Sequence, residues 1–157
     1  MGGPNARPVA LLVAVLSVPA ISGPVRVATQ SKYLDDPRLG RLAGFFESRD
    51  CPAAVLAEDF LSAAERNGLD WRLLPSICLL ETSGGKQARN NNLFGWDSGR
   101  RCFTTARVGI HEVAERLARS DLYKGKDLRS KLRKYNPQPA YAARVEALMK
   151  RLGPADP

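Results

Sequence analysis

The chain has 157 residues, 44% of them apolar and 25% charged, proportions ordinary for a globular protein with one domain around one core. Its net charge of +8, from lysines and arginines spread along the chain, favours anionic partners such as wall polymers, nucleic acid or a membrane surface. One histidine and three scattered cysteines exclude a zinc site of the usual kind and argue against a Ser-His-Asp arrangement.

The N-terminus reads as an export signal over residues 1–22. Arg7 precedes an apolar run from Val9 to Val18, and Val18 and Ala20 stand at the −3 and −1 positions of one cleavage site. The run is short for a membrane span, which needs about 20 apolar residues. The competing readings are a buried N-terminal strand and an uncleaved anchor. Residues 23–35 lack periodicity and read as a linker ahead of a folded domain at 36–152.

Asp36-Pro37 supplies an N-cap and a first-turn proline for a helix to about Glu47, with Leu39, Leu42 and Phe46 on one face. A second helix is predicted from Cys51-Pro52 to Asn67, with a stripe of Val55, Leu56, Phe60, Ala63 and Ala64 and a stop at Gly68. The third, with Asp70 as N-cap, carries Leu73, Leu74, Ile77, Cys78 and Leu80 at spacings of three and four and ends at Glu81. Pro75 falls about one turn inside it, so the first turn is irregular or the regular helix begins nearer Pro75. From Ser83 to Thr105 the chain is rich in Gly, Asn and Ser, which predicts a loop with a short hairpin turning at Asp97-Ser98-Gly99-Arg100. Ile110, Val113, Ala114 and Leu117 mark a helix from Val108 to Arg119, with His111 off its apolar face and in solvent. Asp127 caps a short helix through Leu128 and Leu132 to Tyr135, and Pro139 opens the last helix, through Val145 and Leu148 to Leu152. Residues 153–157 form a tail, and the chain shows no internal repeat.

Glu81 sits where an apolar helix meets the surface. Low dielectric on one side favours the protonated carboxyl that a general acid needs, and Gly84-Gly85 leaves room for a bulky ligand. A surface glutamate ahead of a C-cap is the plain alternative. Two segments then carry a resemblance. Glu81-Thr82-Ser83-Gly84-Gly85-Lys86 followed by Asn91-Asn92-Leu93-Phe94-Gly95-Trp96 resembles the E-S-x-x-G-K … N-N-x-F-G signature of bacterial glucosaminidases of glycoside hydrolase family 73. Tyr135-Asn136-Pro137, with Pro139, Tyr141 and Val145, resembles that family's closing Y-A-x-D-P-x-Y-x-x-K-V segment. The resemblance covers roughly Ala54 to Leu152, most of the chain. Thr82 stands where serine is commoner, Gln138 lies near the position of the missing second acid, and no wall-binding repeat is present.

The resemblance implies a mainly α, lysozyme-like domain with a small loop or hairpin lobe beside a cleft, and an exported, monomeric enzyme hydrolysing a β-1,4 bond of peptidoglycan glycan. Glu81 would be the general acid, and Tyr135 would stabilise positive charge or orient the acetamido group; by sequence alone Tyr135 is equally a core aromatic. Asn91 and Asn92 suit a turn or an acetamido contact. Phe94 and Trp96 are placed along the cleft, Trp96 either stacking on a sugar or anchoring the lobe. Ser83, Asp97 and Tyr141 complete the expected substrate contacts, Asp97 being either a cleft acid or the first residue of a turn. A Cys78–Cys102 disulfide would tie the catalytic helix to the lobe, with three reduced thiols as the alternative. No cofactor, metal or nucleic acid is expected, and membrane contact only through an uncleaved leader. The alternatives are a lytic transglycosylase, a non-catalytic glycan-binding domain and, were the leader not to direct export, a small basic nucleic-acid binder.

Overall fold

The computed structural model describes residues 32–155, so the leader and most of the expected linker lie outside the described residues. Among the described residues six α-helices follow one another: α1 (Pro37–Glu47), α2 (Ala57–Asn67), α3 (Leu73–Thr82), α4 (Ala106–Arg119), α5 (Leu128–Tyr135) and α6 (Tyr141–Leu152). The protein is mainly α, and none of these helices is long and apolar enough to cross a membrane.

The helix starts follow cap chemistry. Asp36 accepts the Arg38 backbone N–H at 2.9 Å with Pro37 in the first turn, and Asp127 accepts that of Ser130 at 2.9 Å. Thr105 accepts from Val108 N at 3.1 Å and so begins α4 at Ala106, ahead of the expected start at Val108. Asp70 caps a turn ahead of α3, accepting from Arg72 N at 2.9 Å, and Pro75 sits within the first turn, where its missing N–H breaks no helical bond.

Three expectations about the edges are corrected. The linker ends sooner, because Tyr33 is buried and donates through Oη to Glu65 at 2.8 Å. The helix expected from Cys51 begins as a 3₁₀ turn over Pro52–Leu56, which leaves Val55, assigned to the apolar stripe, 87% exposed. The start of the expected tail is pinned at Gly153 and Ala155, since Arg72 donates to Gly153 O at 2.8 Å and Trp71 Nε1 to Ala155 O at 3.0 Å.

α2 packs chiefly on α4, α3 on α6, and α5 on α6. Fully buried Phe46, Phe60 and Phe94 run through the centre with neighbouring ring centroids 5.6 and 6.3 Å apart. Burying a phenylalanine contributes up to about 3 kcal/mol. Phe94 belongs to the long loop between α3 and α4, so this chain of rings ties the loop to the helical core.

That loop, residues 83–105, contains no strand; an isolated bridge from Arg89 to Asn92 replaces the expected hairpin. Asn90, Asn91, Asp97 and Ser98 all take positive φ, as residues of tight turns do, and the closely spaced turns leave no run that pairs as a strand. α3 ends through left-handed Ser83, with φ of 53°, followed by Gly84 at φ of 66°. A Cβ on Gly84 would lie 2.5 Å from Cys51 Sγ, so only glycine fits there. Thr82 joins helix and loop: its buried hydroxyl lies 2.8 Å from Leu93 O, to which it donates, and accepts from Gly85 N at 3.1 Å. Thr82→Val, which keeps the shape and removes the hydroxyl, is expected to lose about 1–3 kcal/mol in denaturant unfolding. Thr82→Ser should stay near wild type.

Candidate active site

Glu81 lies in the last turn of α3, half-buried, with one side on the core and the other towards the loop. The loop approaches through Gly95, at φ of 59°, where a Cβ would stand 3.0 Å from Glu81 Oε2. A side chain at residue 95 would therefore press on the carboxylate. Glu81 lines a hollow of about 330 Å³ with Gln87, Arg89, Asn92 and Ser98 among its neighbours, and it is the only acid in that wall. Gly95 and Ser98 also line a larger hollow of about 520 Å³, walled by Trp96, Tyr123 and Tyr135 with Arg101 and Arg116 at its edge. Gly95 and Ser98 line both hollows, and we read the two as one groove past Glu81.

The aromatic wall is braced by its own contacts. Trp96 lies edge-on to Tyr135 at 5.6 Å and tilted to Tyr123 at 6.1 Å, while Tyr135 stacks on Tyr141 at 5.9 Å with planes 12° apart. The Tyr135 hydroxyl donates to Phe94 O, fixing the ring against the loop. Burial, then the Glu81 carboxylate, holds the Tyr135 phenol well above its ordinary range, so it stays protonated. Tyr141 Oη is buried without a hydrogen bond among the described residues, and burial followed by interaction with Glu81 raises its pKa too. This phenol thus interacts with Glu81 without the geometry of a regular hydrogen bond.

Several expected contacts are redirected. Asn92 is 2% exposed and spends its amide on the loop, donating to Trp96 O and Arg101 O and accepting from Phe94 N and Trp96 N. Asn91 donates to Phe103 O and Thr104 O at 3.0 and 3.2 Å. Both asparagines therefore build the turn, although Asn92 still borders the Glu81 hollow. The Phe94 side chain is fully buried and faces the core rather than a ligand. Ser83 terminates α3 and offers its carbonyl to Cys51 Sγ at 3.4 Å. Tyr141 is buried against Tyr135 and lines neither hollow. Trp96 alone of the loop residues named from sequence both packs and lines the groove. Asp97 lines the larger hollow but is exposed and bound to Arg100 at 2.7 Å, which holds its carboxyl below the usual range.

The Cys78–Cys102 bridge is not formed. All three cysteines are free. Cys78 is sealed inside α3, where burial pushes its thiol up to about 12, whereas Cys102 is exposed on the loop and directed at Arg100 O. A core helix face and a solvent-facing loop do not bring these sulfurs together.

His111 is half-buried between α2 and α4 rather than free in solvent, and burial lowers its pKa. Beside it Asp59 is 7% exposed, with Arg107 Nε at 3.1 Å from Oδ1. Burial raises the Asp59 pKa, partly offset by Arg107 and His111. A raised folded-state pKa means that charged Asp59 costs stability at neutral pH, a cost that disappears below the unfolded carboxylate range. Asp59→Asn is therefore expected to melt higher than wild type at pH 7, with the difference closing as the pH falls towards 4. A lower melting point at pH 7 would show that the Arg107 pair outweighs burial.

The basic charge is more localised than the spread of lysines and arginines suggested. Residues 116–151 hold eleven Lys and Arg against three Asp and Glu, and the rest of the chain is balanced. Among the described residues no group of three or more potential metal ligands forms. Tyr123, Arg101 and Arg116 were not singled out from sequence, because only the fold carries the segments after Trp96 back to the groove. No family model matches this chain, and no curated protein matches it.

Proposed function

We propose that this protein is an exported enzyme that cleaves a β-1,4 glycosidic bond of peptidoglycan glycan, with Glu81 as general acid. The observation that carries the reading is one half-buried glutamate at the end of a core helix, the one acid of its hollow among the described residues, beside a wall of Trp96, Tyr123 and Tyr135 in which the acid Asp97 is spent on Arg100. Flat aromatic faces suit the apolar faces of sugar rings. The Glu81 carboxylic acid gives its proton to the glycosidic oxygen as the C–O bond breaks, and positive charge develops on the sugar ring. Tyr135 has its proton committed to Phe94 O, so it serves as part of the wall rather than as a proton donor. Tyr141, whose buried hydroxyl interacts with Glu81, is the better candidate to orient that carboxyl.

A specific observation favours a second reading on the same substrate. No second acid shares the Glu81 hollow, and Asp97 is tied to Arg100. In a lytic transglycosylase, the ionised Glu81 takes the proton of the substrate's own 6-hydroxyl as that oxygen closes on C1, and no protein nucleophile is required. Hydrolysis with participation of the acetamido group makes the same demand on the protein.

Mass spectrometry of peptidoglycan digested with the protein separates these readings. New reducing N-acetylglucosamine ends support the glucosaminidase, and 1,6-anhydromuramic ends support the transglycosylase. An intact glycan, in a sample that a known hydrolase digests, removes the enzyme reading and leaves a glycan-binding domain.

A further inference from the structure

The groove has an electrical asymmetry that a neutral sugar chain does not call for. Of the two arginines on its edge, Arg101 is neutralised by Glu112 at 2.9 Å and lies over the Phe103 ring. Arg116, in the last turn of α4, makes no ion pair and no side-chain hydrogen bond among the described residues, although Glu112 and Glu115 line the adjoining hollow with it. It stands at the start of the stretch 116–151, which carries the chain's whole net charge. Within that stretch Arg129 is the only cation in an ion pair among the described residues, bound to Glu146 at 2.7 Å. A cation left unpaired at the rim of an aromatic groove, against a positive flank, is placed for an anion carried by the ligand. Guanidinium groups bind carboxylates in a planar, two-pronged geometry.

Resting on the glycan reading of the groove, we propose that Arg116 is a specificity-determining residue which binds a carboxylate on the glycan strand, so that the preferred ligand is an anionic glycan rather than a neutral one. The carboxylate has two chemical sources in such a polymer: the lactyl group of a strand stripped of its peptides, or the peptide stems of an intact strand.

The test uses the full chain carrying Glu81→Gln, which keeps the groove without cleavage, and compares it with the same chain also carrying Arg116→Gln. Binding is measured for three glycans of equal length: an N-acetylglucosamine oligomer, a peptidoglycan strand stripped of peptides and a strand with its peptides. Arg116→Gln should weaken a carboxylate-bearing ligand by about tenfold or more, as expected for a hydrogen bond to a charged group, and leave the neutral oligomer unchanged. Loss on the stripped strand assigns the lactyl carboxylate; loss confined to the peptide-bearing strand assigns the stems. Lys126→Gln removes an equal charge from the same basic stretch and should leave all three affinities in place. An equal effect of Arg116→Gln on the three glycans, no effect on any, or the same loss from Lys126→Gln would overturn the proposal. Failure of the Glu81→Gln chain to bind any glycan would overturn the glycan reading beneath it, a different result.

Discussion

Glu81→Gln is expected to abolish glycan cleavage, by at least about a hundredfold to ten-thousandfold, while glycan affinity stays within a few-fold of wild type. The amide matches the carboxylate in size and so fits beneath Gly95, where Glu81 Oε2 already approaches the backbone closely. It cannot release a proton to a leaving oxygen. The aromatic wall, Arg116 and the Gly95–Ser98 turn are left in place, so binding should persist. Assaying new reducing or anhydro ends beside calorimetric titration with a non-cleavable glycan separates the two effects. Retained turnover would remove Glu81 from the chemistry. Lost affinity with a lowered melting point would mean that the substitution had disturbed the groove.

Asn92→Ala should be the most damaging single change outside the core, costing about 3–5 kcal/mol in denaturant unfolding and taking glycan cleavage with it. Its buried amide makes four hydrogen bonds, two donated to Trp96 O and Arg101 O and two accepted from Phe94 N and Trp96 N. Alanine leaves those backbone groups without their partner in a site water enters poorly. These are the groups that hold Gly95 and Trp96 beside Glu81, so the damage is local to the groove as well as global. Asn92→Asp keeps the acceptor but turns a negative charge towards two carbonyls, and should be little better. Asn91→Ala, whose side chain is exposed and bonds only Phe103 O and Thr104 O, should cost about 1 kcal/mol. Equal effects at the two positions would contradict the assignment of Asn92 as the keystone of the loop.

The contrast between the two asparagines shows where the sequence is legible. Helix periodicity and caps at Asp36 and Asp127 are local signals, and they locate α1, α5 and the apolar face of α3 closely. Glu81 is visible for the same reason, as a charge at the end of an apolar run. The loop is not local. Whether an amide faces a ligand or a carbonyl depends on contacts between segments far apart in sequence, such as Asn92 with Arg101 or Tyr135 with Phe94. Turn residues suggest a loop with a short hairpin, but the loop folds as successive tight turns with one isolated bridge and no strand. Val55 fits the helical stripe by spacing, yet the 3₁₀ turn at Pro52 rotates it into solvent. The odd cysteine count carries no geometry, and burial of Cys78 decides against the favoured pair. Tyr123 and Arg116 bear no motif at all; the packing of α4 and of the turn after it brings them to the groove.

The most direct measurement is a crystal structure of the Glu81→Gln protein with a peptidoglycan tetrasaccharide bound. The residue 81 side chain should lie at about 2.6–3.2 Å from a glycosidic oxygen, the reach of a general acid. Sugar rings should rest on Trp96, Tyr123 or Tyr135. A tetrasaccharide seated away from this groove, or one whose glycosidic oxygens all lie beyond reach of residue 81, would contradict the account.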